Sequence, residues 1–242
     1  MDKDFYLRIH KALKSAPDMR KPNRGSSDYT PPALGIARAR LVGYFELGTH
    51  EEEYEGKLRD REKVDLIFEL SGPNHEPRKL DDGTLIPIRI TVQETLSFNE
   101  KANFFKLFGA MNYAGKATHM AELLGEAFVV EVFHKKSKDG KKTYANLKGP
   151  NGYNVKGTTV QDPLSGKAVV VDILPPVTEI KYFIWNTADQ EMWDSIYIPG
   201  EYAERKDSEG KVISPARSKN VLQGIIRKAK NWPQHPLAAL VG

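Results

Sequence analysis

Lysines, arginines and tyrosines gather in a few segments of this chain, and their chemistry is the easiest to assign. Lys and Arg neutralise phosphates and release counterions, while aromatic rings and Arg planes stack on unpaired bases. Neither interaction distinguishes one base from another, so such a set would bind a nucleic-acid strand of any sequence. The candidate binding residues are Arg38, Arg40, Tyr44, Tyr54, Lys57, Arg59, Arg61, Lys63, Arg89, Lys135, Lys136, Lys141, Lys142 and Tyr144.

Motifs for phosphate-binding loops and serine nucleophiles are incomplete in the sequence. Ser165-Gly166-Lys167 resembles the end of a phosphate-binding loop, but Gln161 and Ala168 stand where that loop needs a Gly and a Ser or Thr. No Ser lies within a Gly-x-Ser-x-Gly motif. No catalytic residue is therefore assigned, and no enzymatic activity is expected.

Three residues leave an enzymatic alternative open. Asp162, followed later by Glu179 and Lys181, loosely resembles the acidic residues and lysine with which restriction-type nucleases hold Mg²⁺ and polarise water. An amphipathic strand with alternating charges gives the same letters. A Mg²⁺-dependent nuclease is therefore kept as the alternative function.

Metal ligands are scarce in the sequence. Cysteine is absent, which excludes disulfides, thiolate zinc sites and cysteine nucleophiles. The six histidines lie far apart, and no two have the i, i+4 spacing that places two imidazoles on one helix face. The acidic run over residues 51–55 is interpreted as solvated charge. No metal and no cofactor are expected.

The composition is that of a globular protein, with 242 residues, 40% hydrophobic and 28% charged, and a formal net charge of +4. No run approaches the roughly 18 apolar residues of a membrane span. The charged start, Met1-Asp2-Lys3-Asp4, is not followed by the apolar region of a signal peptide. An intracellular protein without a membrane partner is expected.

Hydrophobic periodicity predicts the elements that must position the candidate residues. Residues 37–47, 64–70 and 86–92 alternate apolar and polar side chains with the period of a half-buried strand. Ser97-Phe98-Asn99-Glu100 matches a capping box, which predicts that a helix follows and ends near Gly109. A further short helix is predicted before Gly125.

The second part of the pattern is a hairpin. Strand character returns over residues 127–134, Asp139-Gly140 predicts the turn, and residues 143–147 form the returning strand. Three strands, a helical connection and a hairpin are the order of an OB fold. The predicted fold is therefore mainly β with helices, a five-stranded OB-type Greek-key barrel with the helix between strands 3 and 4.

Strand alternation also predicts which candidate residues share a surface. If the odd-numbered residues of the first strand face the core, Arg38, Arg40 and Tyr44 face outward, and the same parity places Lys63 and Arg89 outside. In an OB barrel the second and third strands and two loops form the oligonucleotide surface. The first of those loops carries Tyr54, Lys57, Arg59 and Arg61, and the last carries Lys135, Lys136, Lys141 and Lys142.

The chain divides into three predicted regions. Residues 1–36, basic and punctuated by Pro, Gly and Ser, form an arm or linker. Residues 37–148 form the OB core that binds single-stranded DNA. Residues 149–242 form a C-terminal extension of strands and helices, which is expected to pack on the core or on another subunit.

Several strand motifs together resemble those of a known protein family. They are Leu41-Val42-Gly43-Tyr44-Phe45-Glu46-Leu47-Gly48-Thr49, Tyr54-Glu55-Gly56-Lys57, Lys63-Val64-Asp65-Leu66-Ile67-Phe68-Glu69-Leu70, and the stretch from His134-Lys135 to Thr143-Tyr144-Ala145-Asn146. This pattern, over about residues 34–148, resembles the single-stranded DNA-binding proteins found in the replication modules of tailed bacteriophages.

The resemblance implies an OB core that coats exposed DNA during phage DNA replication or recombination, without catalysis, in the cytoplasm of the infected bacterial host. The implied partners are single-stranded DNA, with RNA as a second candidate, further copies of the chain, and phage or host replication proteins. Recruitment through an acidic tail, common in this functional class, is not expected from the ending Asn231-Trp232-Pro233-Gln234-His235-Pro236-Leu237-Ala238-Ala239-Leu240-Val241-Gly242. A phage structural or adaptor protein, whose strands build an assembly contact, is the third class considered.

Overall fold

One long strand, β1 (Gly35–Tyr54), runs through the centre of the fold and separates two hydrophobic cores. The computed structural model describes residues 30–162 and 164–241, and for Tyr54 only the backbone. The predicted N-terminal arm, residues 1–36, therefore falls almost entirely outside the described residues.

The secondary structure is mainly β with short helices, which confirms the predicted class. Within the described part of the chain, no helix has the length and apolar character needed to cross a membrane. The remaining strands are β2 (Lys57–Ser71), β3 (Arg78–Lys79), β4 (Leu85–Ile86), β5 (Ile88–Thr95), β6 (Ala127–Lys136), β7 (Thr143–Asn146), β8 (Lys148–Gly149), β9 (Gly152–Tyr153), β10 (Val155–Lys156), β11 (Thr159–Gln161), β12 (Ala168–Val170), β13 (Lys181–Phe183), β14 (Glu201–Tyr202), β15 (Arg205–Lys206), β16 (Val212–Ser214) and β17 (Arg217–Ser218). The α-helices are α1 (Asn103–Met111), α2 (Gln190–Ser195), α3 (Val221–Ile226) and α4 (Ala238–Val241), and 3₁₀ helices span Met120–Leu123, Trp185–Thr187 and Trp232–Gln234.

The main sheet is antiparallel apart from one strand. β2 returns along β1 through a turn in which Glu55 and Gly56 both have positive φ, 52° and 71°, as the favoured two-residue hairpin turn requires. β5 pairs with β2, β6 with the first part of β1, and β13 runs parallel to β1 further along. The order β10-β6-β1-β2-β5, with β7 also on β6 and β13 on β1, gives a seven-stranded sheet that is not closed.

Side chains, and not strand pairing, link the free edge at β5 to the segment after β7. Glu94 Oε1 accepts hydrogen bonds from Lys148 Nζ at 2.9 Å and from Tyr153 Oη at 2.7 Å. The sheet therefore curls until its two ends approach. The predicted barrel has five strands, whereas this sheet has seven and remains open.

The first core lies between one face of the sheet and α1. Leu66 and Phe68 of β2 and Val92 of β5 are buried there, and Phe104 and Leu107 of α1 cover them. These residues alternate along the strands and recur at helical spacing along α1, so each element buries one face.

The prediction of a capping box at Ser97-Phe98-Asn99-Glu100 is wrong. Ser97 Oγ accepts from the Asn99 N–H, and Asn99 Oδ1 accepts from the Lys101 N–H, so these side chains stabilise local turns instead of a helix start. α1 begins later, after Ala102, which makes no side-chain cap bond. It also continues beyond the predicted end at Gly109, as far as Met111.

A β-bulge interrupts the alternation of β1. Leu41 is in register with Phe68 and Gly43 with Ile67, so Val42 is an extra residue opposite β2. A single extra residue exchanges the two faces of a strand from that point onward.

After the bulge the two faces of β1 belong to different cores. Tyr44 lies in the first core with 0% of its surface exposed, whereas Phe45 and Leu47 lie in the second core. β1 is therefore buried on both faces over residues 41–48.

The C-terminal extension builds the second core. Phe45 and Leu47 pack against an aromatic cluster that contains Trp185, Trp193 and Trp232, which are all three tryptophans of the chain. The rings of Trp193 and Trp232 stack with centroids 5.0 Å apart. The extension thus covers the outer face of the sheet, opposite α1, where Phe45 and Leu47 lie on β1.

Candidate nucleic-acid interface

Tyr44 does not lie on the predicted outer face, so its predicted orientation is wrong. The bulge at Val42 turns it inward, where Tyr44 Oη donates to Glu46 Oε1 at 2.8 Å and the ring meets His119 edge to face at 5.3 Å. Burial, followed by the charge of Glu46, raises the pKa of the Tyr44 phenol above its ordinary value. A ring with no exposed surface cannot stack on a base in this conformation.

Arg40 does lie on the outer face of β1, but it is engaged with the C-terminal extension. Its guanidinium donates to the carbonyls of Leu174, Gly125 and Ile173 at 2.7, 2.7 and 2.5 Å. It holds the segment over residues 173–178, here called the strap, across the sheet. The predicted contact of Arg40 with nucleic acid is therefore replaced by a structural role in this conformation.

Glu69 anchors the other end of the strap. It is in register with Arg40 on one side and with Arg89 on the other. Its two carboxylate oxygens accept the backbone N–H groups of Val177 and Thr178, each at 2.7 Å. The strap thus crosses the centre of the face on which an OB fold would bind an oligonucleotide, and it divides that face into two depressions.

The β1–β2 hairpin carries its cations beside the acidic run. Lys63 Nζ pairs with Glu52 Oε2 at 2.5 Å. Arg59 is in register with Glu52, Arg61 with His50, and Lys57 with Tyr54, whose side chain is not described. The charges of this predicted loop are therefore largely balanced by neighbours on the same hairpin.

The β6–β7 hairpin is different, because cations dominate it. Lys135, Lys136, Lys141 and Lys142 are all exposed, and Asp139 is the one carboxylate between them in the sequence. The Asp139 carboxylate accepts hydrogen bonds from Ser137 Oγ and from the backbone N–H of Lys141. These two bonds lower the pKa of the carboxyl and stabilise the turn. Tyr144, 45% exposed, is in register with Lys135, so a ring and a cation lie side by side.

Arg38 lines a cavity of about 370 Å³ beside the strap. Four residues form one row across four neighbouring strands: Ser71 of β2, Arg38 of β1, Val129 of β6 and Lys156 of β10. Residues in register on adjacent antiparallel strands point to the same side. The row therefore places two cations on either side of a valine, on the outer face of the sheet, and all four residues line the cavity.

The outer face of β6 joins this cavity to the lysine hairpin. Val129, Glu131, Phe133 and Lys135 alternate with the core residues Phe128, Val130 and Val132. Lys135 lies six residue steps beyond Val129 along the extended strand, a distance of about 20 Å. Glu131 is the one acidic side chain on the way, and its Oε2 accepts a hydrogen bond from Asn154 Nδ2 at 2.7 Å.

Arg89 lies on the far side of the strap, in a larger groove of about 960 Å³. Lys181 and Lys219 line this groove too, but so do Asp65 and Glu179, and its floor is apolar. Its charge is therefore mixed. The structure places Arg38 and Lys135 on the outer face of the sheet, with Lys141 and Lys142 beyond Lys135 in the β6–β7 turn, and leaves Arg89 beyond the strap.

The residues of the nuclease alternative do not form one site. Asp162 accepts from the backbone N–H groups of Leu164 and Ser165, which lower the pKa of its carboxyl and close a local turn. Glu179 pairs with Lys181 at 3.3 Å in the larger groove, whose lining does not include Asp162. Over residues 30–162 and 164–241, no group of three or more His, Asp or Glu side chains could hold a metal ion.

Lys156 is the residue of this interface that the sequence did not single out. It lies in a two-residue strand, β10, which is too short to show any periodicity. Only its pairing with Val129 places it beside Arg38.

Comparison with known proteins adds no relative. No family model matches the chain, and neither the curated proteins nor the solved structures contain a match.

Proposed function

We propose that this protein binds single-stranded DNA without sequence preference. The observation that carries the proposal is the outer face of β6, where the cations at the Val129 cavity and the lysine hairpin with Tyr144 lie along one strand. Phosphates would be neutralised by Arg38, Lys156 and the hairpin lysines, and a base would stack on Tyr144. Unpaired bases offer their faces to such a ring, whereas bases inside a duplex do not.

An OB-type architecture is part of the proposal. β1 pairs with β2 and β6, β2 pairs with β5, and α1 lies between β5 and β6 in the chain. This is the order expected of a Greek-key OB core, with β6 and β7 as its last hairpin. Together with the resemblance to phage single-stranded DNA-binding proteins, it supports a role in protecting DNA during phage replication or recombination in the host cytoplasm, alongside phage or host replication proteins.

The proposed path of the strand differs from the one expected for an open OB face. The strap covers the outer face where β1 meets β2, through Arg40 and Glu69. A strand that follows β6 avoids this segment. We therefore assign the DNA to the side of the strap that holds Arg38 and exclude the side that holds Arg89.

A titration with fluorescent oligo-dT at two salt concentrations tests the proposal. We expect binding that weakens as salt rises, because each neutralised phosphate of a single strand contributes about 0.7 to the slope of log K against log salt. A duplex of the same length should bind more weakly. An oligo-rU of equal length measures the preference for DNA over RNA.

Paired variants locate the surface. Lys141→Ala with Lys142→Ala should lower the salt slope by about 0.7 for each lysine that contacts a phosphate. Lys101→Ala with Lys106→Ala is the matched control, because Lys106 is an exposed residue of α1 and Lys101 is exposed in the turn just before it, and α1 covers the opposite face of the sheet. Equal slopes for the two double variants, or oligo-dT affinity that ignores salt in the unchanged protein, would count against the proposal.

A further inference from the structure

The cavity over Val129 has the charge and shape of a small anion site. Its volume of about 370 Å³ lies within the range of roughly 300–1,000 Å³ that small-molecule sites occupy. Arg38 and Lys156 line it, and its lining contains no Asp or Glu. The other polar side chains of the lining are Ser71, Asn74, His75 and Asn154.

Arg38 is the unusual member of this lining. Its side chain is half-buried, yet within the described residues its guanidinium has no hydrogen-bond or ion-pair partner. Arg40, two positions along the same face, makes three such bonds to carbonyls. Burying a cation costs less when an anion pairs with it, so the position of Arg38 beside this cavity favours an anionic ligand.

The strand register brings the second cation into reach. Arg38 and Lys156 both lie in register with Val129, from opposite sides, so their Cα atoms are about 10 Å apart, or two strand spacings. Both side chains are long enough to meet over the valine between them. Arg offers a planar fork that matches phosphate oxygens, and Lys adds a point charge.

We propose that this cavity binds the phosphate of a single nucleotide, held between Arg38 and Lys156, with the sugar or base against the apolar wall. The apolar lining includes Val129, Val160 and Val171, and the backbone turn at Gly72 also lines the cavity. The inference deepens the proposed function and rests on it for the identity of the ligand, since the phosphate is taken to belong to a DNA strand.

Binding of thymidine 5′-monophosphate, measured by titration calorimetry on the full chain, tests the site. Thymidine, which lacks the phosphate, should bind at least about tenfold more weakly. Arg38→Gln should weaken monophosphate binding roughly 10- to 100-fold, the loss expected for charge-assisted hydrogen bonds. Lys156→Gln should weaken it too, and Arg38→Lys should fall between the unchanged protein and Arg38→Gln, because it keeps the charge but loses the fork.

Lys106→Gln on α1 is the matched control and should leave monophosphate binding unchanged. Urea unfolding of each variant separates a lost site from a lost fold. Arg38→Gln should unfold at the same urea concentration as the unchanged protein or higher, because an unpaired half-buried charge has been removed. Lys156→Gln, at an exposed position, repeats the test should Arg38→Gln prove unstable.

The outcomes separate this inference from the proposed function. Equal binding of monophosphate and thymidine, or equal effects of Arg38→Gln and Lys106→Gln, overturns the site, whereas salt-dependent oligo-dT binding in the same samples still supports the proposed function. Arg38-dependent monophosphate binding by a protein that does not bind oligo-dT supports the site and overturns the proposed function. If inorganic phosphate binds as tightly as thymidine 5′-monophosphate, the cavity is a site for free phosphate. That result overturns the inference that its ligand is a nucleotide.

Discussion

Glu46 connects the two cores through its carboxylate. Its Oε1 accepts a hydrogen bond from Tyr44 Oη at 2.8 Å in the first core. Its Oε2 accepts one from the backbone N–H of Trp185 at 2.8 Å, beside the second core. Only 7% of Glu46 is exposed, so both oxygens depend on protein donors. A buried carboxylate in this position stabilises the fold only while its donors remain in place.

Tyr44→Phe removes one of these donors and keeps the ring. We expect a loss of about 1–3 kcal/mol in the free energy of unfolding, because Glu46 Oε1 loses its 2.8 Å hydrogen bond and keeps only His119 Nε2 at 3.5 Å. Oligo-dT affinity should not change, since Tyr44 is buried. Urea unfolding and the DNA titration measure the two quantities. Tyr197→Phe, at a 53% exposed position, is the control, and weaker DNA binding by Tyr44→Phe alone would contradict the assignment.

The shifted pKa of Asp65 makes the free energy of unfolding depend on pH. Burial raises the pKa of its carboxyl above the ordinary 3.8, although the hydrogen bond from Gln93 and the nearby His50 act in the opposite direction. The folded protein therefore binds this proton more tightly than the unfolded chain does. The stabilisation is complete below pH 3.8 and is lost as the pH rises through the folded-state pKa.

Asp65→Asn should therefore raise the free energy of unfolding at pH 7 and have little effect below pH 3.8, where the native carboxyl is protonated. The Asn side chain can still accept from Gln93, so the hydrogen bond is kept. Urea unfolding at the two pH values measures the change. Asp81→Asn, in an exposed loop, should change little at either pH, and a loss of stability at pH 7 for Asp65→Asn would refute the expectation.

At the scale of elements, the β1–β2 hairpin is braced by the C-terminal extension. Lys230 Nζ pairs with Glu51 at 2.9 Å and Asp60 at 2.5 Å, one on each strand of the hairpin. The Lys230 N–H also donates to the Thr49 carbonyl, and Asn231 Oδ1 accepts the Thr49 N–H. The close approach depends on Gly48, because a Cβ there would lie 2.3 Å from the Trp185 ring.

Gly48→Ala should separate the extension from β1. Gly48 has a φ of 79°, so alanine adds backbone strain as well as the contact with Trp185. Gly56→Ala is the matched control, because Gly56 has a φ of 71° and open space around it. We expect Gly48→Ala to lose more than about 1 kcal/mol beyond the control and to alter tryptophan fluorescence, which Gly56→Ala should not. Equal losses would mean that Trp185 moves aside freely.

The elements show what the sequence could and could not predict. Clear alternation predicts β2 and β5, strand-forming residues over 127–134 predict β6, and Asp139-Gly140 predicts the β6–β7 turn. The bulge at Val42 was missed because its neighbours Leu41, Tyr44 and Phe45 are large and apolar or aromatic, so either parity fits the pattern. The strap was missed because the bonds of Arg40 join residues more than 80 positions apart, a separation that local patterns do not encode.

At the scale of the whole molecule, the two cores should unfold together because both pack on β1. All three tryptophans lie in the second core, whereas most of the sheet surrounds the first. Tryptophan fluorescence and far-UV circular dichroism therefore report on different cores. We expect their urea transitions to coincide, as in two-state unfolding.

Phe45→Ala tests whether the two cores unfold together. It removes a buried ring from the second core only, with an expected loss of about 3–5 kcal/mol. If β1 couples the cores, both signals should shift to lower urea by the same amount. A fluorescence transition that moves alone would indicate that the extension unfolds independently of the sheet.

The bulge at Val42 has a consequence for how this chain can diverge. One residue inserted or deleted between Ala39 and Leu47 would send every later side chain of β1 to the opposite face, Tyr44 toward the tryptophans and Phe45 toward α1. Substitutions preserve the count and can be absorbed by repacking, whereas a change in length would need a further bulge to restore the register. Any relative that keeps the C-terminal extension should therefore align over residues 39–47 without a gap, however different its letters.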